Sequence, residues 1–311
     1  MLALMFAGTS CFQGGAVAAP ATFVPSIPIE GGTWTTPNIM VLIYPQLGQA
    51  WYKDSYAFDV NHAIARWSES IIAYTDSHGS NYLRRLSFTT CVSGVNESLC
   101  GSPDIQVKFI QSFGSQSAGL GLTSLRITTS ATFSAPTTTT LAAYDPSNMT
   151  QLSDKDMINI ASHEFGHALG LNHATVSGTS DGTFELMFLS YGQPVGNSAD
   201  SLEAPSTLDL YALSYIYDWL ATSSTLGGPG HPATSITLPS GTTYSSIYPY
   251  PEQVQMLQDS ASRSRLEVIV LVVLVALLLA LFLLFGVLLS RRKPAQPQMV
   301  TWHAVEPAPT T

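Results

Sequence analysis

Apolar residues recur along the chain in patterns that predict the strands and helices of one folded domain. The uninterrupted apolar stretch 38–44 is typical of a buried strand, and 86–92 and 105–110 have strand-like composition. Between the first two, apolar residues at helical spacing predict a helix over about 49–74 with one packed face. That face would consist of Trp51, Phe58, Ala63, Ile64 and Trp67.

Two later segments complete the predicted domain. The Thr and Ile content of residues 119–133 suits a strand of the sheet. Residues 206–217 predict a helix, because apolar side chains follow a helical period at 208, 212, 213 and 216. The order of elements predicts an α+β (or α/β) domain with one mixed, twisted sheet. About 200 residues, 20–220, are enough to form one hydrophobic core.

A uniformly apolar segment near the C-terminus predicts a transmembrane helix over 266–289. Its part 268–289 contains no charged residue and is long enough to cross a hydrocarbon core of about 30 Å as a helix. Basic residues follow at 291–293, which is typical of a cytoplasmic end. Residues 290–311 are therefore expected to form a short cytoplasmic tail.

The two remaining segments predict where the domain lies. Residues 1–19 are small and apolar, and Ala16-Val-Ala18 resembles a signal-peptide cleavage site, although a disordered apolar tail is the alternative. Residues 221–265 are rich in Ser, Thr, Gly and Pro and predict a flexible stalk. We therefore expect a single-pass cell-membrane protein with its domain outside the cell.

Residues 163–173 carry the candidate chemistry, with the sequence His-Glu-Phe-Gly-His-Ala-Leu-Gly-Leu-Asn-His. His163 and His167 are four residues apart, so on a helix they share one face and can bind one metal ion. Gly170 can end the helix in a left-handed conformation, which lets the chain return with His173 as a third ligand. Glu164 is placed beside them, within reach of a metal-bound water.

Two simpler interpretations compete with a catalytic zinc site. The histidines could belong to an ordinary buried helix, but three of them at ligand spacing around a glutamate disfavour this interpretation. A purely structural zinc is the other alternative. It is disfavoured because structural sites are usually closed by four protein ligands, and three are visible in the sequence.

The extended motif resembles that of the metzincin zinc endopeptidases, and most nearly of their matrixin-like branch. The resemblance covers about residues 34–220 and implies that Met187 forms the methionine turn beneath the metal, although Met187 could also be ordinary core packing. It further implies that 206–217 is the closing helix and that 188–199 shapes a specificity pocket. Ala174, directly after the third histidine, departs from the large subfamilies. Leu189 stands where some metzincins place a tyrosine ligand, and Tyr191 is a weak substitute.

The motif and the resemblance together imply a membrane-anchored zinc metalloendopeptidase that hydrolyses protein or peptide substrates. Zinc would activate a water molecule, and Glu164 would act as general base. A substrate would pair with an exposed sheet edge, for which 119–133 is the candidate. The alternative is a non-catalytic module with the same fold that binds a partner or mediates adhesion.

Cysteine content and charge narrow the function further. With residues 1–19 removed, Cys91 and Cys100 remain as a pair, and a disulfide is favoured over two free thiols; it would stabilise by roughly 2–3 kcal/mol. The net charge of −9 argues against nucleic-acid binding.

A calcium site remains open but unsupported, because its candidate ligands are explained better as solvated carboxylates of loops. Those candidates are Asp104, Asp145, Asp154 and Asp156.

Overall fold

The computed structural model describes residues 24–114, 119–191, 193, 195–196 and 201–248. A five-stranded mixed sheet forms its centre, with the strand order β3-β2-β4-β6-β5. The first four are parallel and β5 runs antiparallel beside β6, at the edge of the sheet. The strands are β2 (Asn38–Tyr44), β3 (Ser87–Val92), β4 (Ile105–Ile110), β5 (Gly121–Ser124) and β6 (Thr137–Ala142).

In the part of the chain that the structure describes, three α-helices accompany the sheet, so the coarse prediction of a mixed α and β domain is confirmed. They are α1 (Tyr56–His78), α2 (Asp154–Ala168) and α3 (Thr207–Ile216). Trp67 of α1 is fully buried, and its indole N–H donates to the carbonyl of Ser162 in α2 at 2.9 Å. The apolar faces of the helices and the sheet thus form one continuous core.

Helix α1 differs from the predicted helix at both ends. It begins seven residues later than the expected position 49, because residues 45–55 form turns closed by bonds such as Tyr52 N to Gln49 O at 3.0 Å. It continues past 74 to His78, since Thr75 is still buried and the ring of His78 stacks on that of Tyr74 at 4.6 Å, and it ends before Gly79, whose φ is 81°.

A disulfide joins Cys91 of β3 to Cys100, which follows a short 3₁₀ helix at Glu97–Leu99. Both cysteines are buried and pack with Leu42 of β2 in a small apolar cluster. The disulfide therefore holds the β3–β4 connection against β2, the strand that pairs with both β3 and β4.

The folded domain continues beyond the predicted boundary at 220, so a flexible stalk over all of 221–265 is wrong for its described part, 221–248. Strand β7 (Ser235–Thr237) pairs antiparallel with β1 (Ser26–Pro28), and Ile236 is buried between them. Beyond β7, Tyr244 is buried, and the N–H of Ile247 donates to the carbonyl of Pro205 at 2.8 Å. Composition alone does not distinguish a flexible stalk from this arrangement, because Ser, Thr and Pro also occur in extended chain that packs on the surface of a folded domain.

The other predicted segments lie outside the described residues. These are the signal peptide at 1–19, the rest of the stalk, the transmembrane helix at 266–289 and the tail at 290–311. Within the described residues, no helix combines the length and the apolar character needed to cross a membrane.

Candidate metal centre

Helix α2 presents two of the three histidines. It begins with a capping box, in which Ser153 Oγ accepts from the N–H of Asp156 at 3.1 Å and Asp156 accepts from the N–H of Ser153 at 2.8 Å. His163 and His167 lie on the same face, and their Nε2 atoms are 3.1 Å apart. The helix ends at Ala168, which places both rings in its last two turns.

The third histidine returns to the site through a tight turn. Gly170 has a φ of 107°, and a Cβ there would lie 3.0 Å from the carbonyl oxygen of Gly32, so the position favours glycine on both counts. The carbonyl of Gly170 accepts from Glu30 N and the N–H of Asn172 donates to Pro28 O, which ties the turn to the N-terminal segment. His173 Nε2 then lies 3.2 Å from His167 Nε2.

The protonation of two rings follows from their partners. His163 Nδ1 lies 2.6 Å from Leu186 O, and His167 Nδ1 lies 2.8 Å from Leu171 O. Carbonyl oxygens only accept, so each Nδ1 carries the proton and each Nε2 has an exposed lone pair. Burial lowers the pKa of His163 to about 4 and that of His167 to about 3, which keeps the imidazoles neutral near pH 7.

This donor set fits zinc. Two neutral imidazoles that point lone pairs at each other across about 3 Å cannot hydrogen-bond, whereas a cation between them satisfies both. Zn–N distances of about 2.0–2.1 Å in a tetrahedral site imply nitrogen separations of about 3.3 Å, close to those present. Within the described part of the chain, His163, His167 and His173 form the one group of three or more such side chains close enough to hold a metal ion.

Met187 packs against α2, the helix that presents two of the histidines. It is fully buried, and a Cβ added to Gly166 of α2 would lie 2.3 Å from its sulfur. Its N–H donates to Glu185 Oε1 at 3.2 Å, and Tyr244 donates its hydroxyl to the other oxygen of Glu185. Leu186, which lies between Glu185 and Met187 in the chain, supplies the carbonyl oxygen that orients the His163 ring. The turn at 185–187 therefore helps to position His163.

Glu164 is 5% exposed and is held by the edge strand β5. Thr123 Oγ1 donates to Glu164 Oε2 at 2.7 Å, and Thr123 in turn contacts Thr139 Oγ1 at 3.0 Å. A Cβ on Gly121 would lie 2.5 Å from Glu164 Cγ and Oε1, so only glycine leaves room for the carboxylate there. Burial raises the pKa of Glu164 to about 7, against the lowering effect of Thr123, and a carboxylate with such a pKa is suited to act as a base.

An open cavity of about 830 Å³ adjoins these groups. Its lining includes His163, Glu164 and His173 together with residues 119–121, which lead into the edge strand, and the chain after Met187. This volume is within the range of ligand-binding clefts. The arrangement can thus hold a metal ion, a base and a bound molecule side by side.

A comparison with models of known protein families finds no match, and neither does a comparison with curated proteins. The three-histidine cluster at the spacing of the extended motif is therefore the feature that points to a zinc site.

The remaining candidate residues have other partners. Tyr191 lines the cavity, but its hydroxyl donates to Asp156 Oδ1 at 2.8 Å. The calcium candidates do not come together, because each accepts from its own neighbourhood: Asp104 from Met40 N, Asp145 from Ser147, and Asp154 from Ser55. Among the described residues, no group of acidic side chains forms a cation site.

Several residues of the site carry no signal in the sequence. Thr123 and Gly121 lie within the predicted edge segment, but their contacts with Glu164 span about forty residues of chain. Glu185 and Tyr244 are 59 residues apart and meet only through the fold. A spacing motif cannot reveal such partners, because no local periodicity links them.

Proposed function

We propose that this chain is a zinc metalloendopeptidase similar to the matrixin-like branch of the metzincins. One observation carries the proposal: the ligand atoms of three histidines lie close enough together to hold one metal ion, and two of these histidines line an open cavity together with the buried carboxylate of Glu164, beside an edge strand. The motif spacing at 163–173 supports the family assignment, and the composition of 1–19 and 266–289 supports a membrane-anchored domain outside the cell.

Zinc bound to the three histidines would polarise the scissile carbonyl and lower the pKa of a water molecule. The chain's own residues supply the remaining steps. Glu164 accepts a proton from the attacking water and delivers it to the leaving amine. Thr123, by donating to Oε2, keeps the carboxylate aimed at the cavity.

The edge strand is the proposed platform for the substrate. Strand β5 pairs with β6 on one side, and residues 119–121 line the cavity. An extended peptide can therefore add to this edge by backbone hydrogen bonds, which would place a peptide bond near Glu164. Protein or peptide substrates are thus favoured over small esters or amides.

The test measures cleavage of an unfolded protein by the purified full-length chain. The chain is assayed as isolated, after treatment with a zinc chelator, and after zinc has been restored. Cleavage should disappear with the chelator and return with zinc. The variant Glu164→Gln should retain one zinc per chain but lose at least about a hundredfold in rate, since it cannot accept a proton.

Glu97→Gln is the matched control, because Glu97 is exposed and does not line the cavity; it should cleave like the wild type. Absence of cleavage by a chain that binds one zinc would contradict the proposal. It would favour the alternative of a non-catalytic surface module for binding or adhesion.

A further inference from the structure

The cavity beside the histidines is lined by a further buried acid, Glu203. This side chain is among the lining residues, although it is only 8% exposed. Gln193 Nε2 donates to its Oε1 at 2.9 Å. A carboxylate can accept about four hydrogen bonds, so this bond, the one that its side chain accepts from the described residues, leaves acceptor capacity for a ligand that enters the cavity.

The backbone of Glu203 is held at a defined place relative to the metal ligands. Its N–H donates to Asn159 Oδ1 at 2.9 Å, and its carbonyl accepts from Arg66 Nη2 at 2.7 Å. Asn159 precedes His163 by one turn of α2, which is about 6 Å along the helix axis. Glu203 is therefore anchored one turn of α2 from His163, and both side chains line the same cavity.

Charged groups of both signs surround Glu203. Asp156 and Glu185 are further acids that interact with it, and Arg66 is the opposing cation, whose guanidinium donates to the backbone carbonyl of Glu203. Burial raises the pKa of Glu203 to about 7, so a bound cation would also stabilise its ionised form.

The same cavity has apolar walls. Ile160, Leu186 and Val195 line it together with Glu203. Lysine and arginine combine a hydrocarbon stem with a cationic end, and such side chains lay the stem along apolar surface while the charge reaches a polar partner. A purely apolar side chain would instead shut Glu203 away from water without compensation, which is unfavourable.

We propose that Glu203 is the recognition group of a subsite that accepts a lysine or arginine side chain adjacent to the scissile bond. This inference rests on the proposed peptidase function, which it deepens by naming the substrate class. Peptides with a basic residue on one side of the cleaved bond are the expected substrates, with the stem between Ile160 and Val195 and the charge at Glu203.

The first experiment maps the bonds that the zinc-loaded full-length chain cleaves in an unfolded protein, by mass spectrometry. Lysine and arginine should be enriched at one flanking position. Peptide pairs that differ only by lysine or its uncharged isostere norleucine at that position should differ by at least about tenfold in kcat/KM. Wild-type cut sites without basic enrichment would overturn the inference while leaving the peptidase proposal intact.

Variants then assign the preference to Glu203. Glu203→Gln keeps the side-chain volume and should abolish the lysine-over-norleucine preference, whereas Glu97→Gln, with the same loss of charge at an exposed position, should retain it. A preference that persists in folded Glu203→Gln would refute the assignment. Should that variant not fold, the kcat/KM values of the wild type for lysine, norleucine and glutamate peptides decide whether the subsite prefers a cation, because this comparison needs no substitution in the protein.

A binding measurement separates the two proposals. The zinc-loaded Glu164→Gln chain is titrated with the same lysine and norleucine peptides, labelled for fluorescence anisotropy. Tighter binding of the lysine peptide would support the subsite even if no cleavage occurs, in which case only the peptidase proposal fails. Equal binding of both peptides would contradict the subsite.

Discussion

At the scale of single residues, the contacts of Glu164 govern the proposed chemistry. Its carboxylate lies between the hydroxyl of Thr123 and the bare Cα of Gly121, both on β5. Neither residue is a candidate metal ligand, so each can be altered without removing a ligand from the zinc site. This makes the orientation of the base testable separately from metal binding.

Thr123→Val removes the hydroxyl and keeps the shape of the side chain. A hydrogen bond to a charged group contributes about 1.5–3 kcal/mol, so kcat should fall by about 10- to 100-fold with little change in KM. Thr123→Ser should restore most of the rate. Steady-state kinetics and zinc content check the prediction, and Thr140→Val, on the neighbouring strand β6, is the control. An unchanged kcat would mean that Thr123 does not orient the base.

Gly121→Ala tests the space that Glu164 needs. The new Cβ would come within 2.5 Å of Glu164 Cγ, so the carboxylate or the strand must move. We expect at least a tenfold loss of kcat/KM, since a misplacement of about 1 Å can cost on the order of a hundredfold. Gly228→Ala, where a Cβ would meet nothing within 4 Å, should be silent in the same assay. Equal activity of both variants would contradict the close approach.

At the scale of elements, the starts of α1 and α2 are tied together. Ser55, which precedes α1, donates to Asp154 Oδ1 at 3.0 Å, and Lys53 Nζ donates to Leu152 O at 2.6 Å. Asp59, in the first turn of α1, is buried at this junction, and its Oδ2 has no hydrogen-bond partner among the described residues. Burial, followed by the charge of Asp154, raises the pKa of Asp59 to about 7.

The pH dependence of stability should therefore change in Asp59→Asn. The unfolded-state pKa of an aspartate is about 4, so ionisation of this buried group destabilises the fold as the pH rises from about 4 through about 7. At pH 8 the variant should be more stable than the wild type by roughly 1–2 kcal/mol, after allowance for solvent screening, and the difference should shrink towards pH 5. Urea unfolding at both pH values checks this, with the exposed Asp54→Asn as control. A gain that is independent of pH would contradict the titration of Asp59.

At the scale of the whole molecule, the chain after residue 220 belongs to the fold that supports the metal centre. Residues 235–248 add a strand beside β1 and bring the hydroxyl of Tyr244 to Glu185, under the turn that contains Met187. The N-terminal segment holds the turn before His173 through Asn172. Both ends of the described domain thus contact the elements that position the histidines.

A chain that ends at residue 220 should consequently be less stable than one that ends at 248. The shorter chain loses the burial of Ile236 and Tyr244 and exposes their partners, which should lower the free energy of unfolding by about 3–5 kcal/mol. Urea denaturation and zinc affinity of the two chains provide the measurement. Equal stability would mean that the segment after 220 is dispensable and would restore the stalk interpretation for all of it.

The sequence by itself determined the features that depend on local periodicity. The strand at 38–44 follows from the apolar run after Asn38, and the helices α2 and α3 follow from spacings of three or four residues. The turn at Gly170, just after α2 ends, likewise needs only local backbone geometry. For these elements each residue's neighbours are set by its position along the chain.

The tertiary structure decided everything that joins distant segments. Only the assembled sheet, in which β5 pairs antiparallel with β6, brings β5 against α2, so that Thr123 and Gly121 meet Glu164. Only the packing of 235–248 reveals that a Ser- and Pro-rich segment is part of the domain, and only the loop before α3 places Glu203 in the cavity. Such contacts arise from the summed burial of many apolar groups, which no short window of sequence contains.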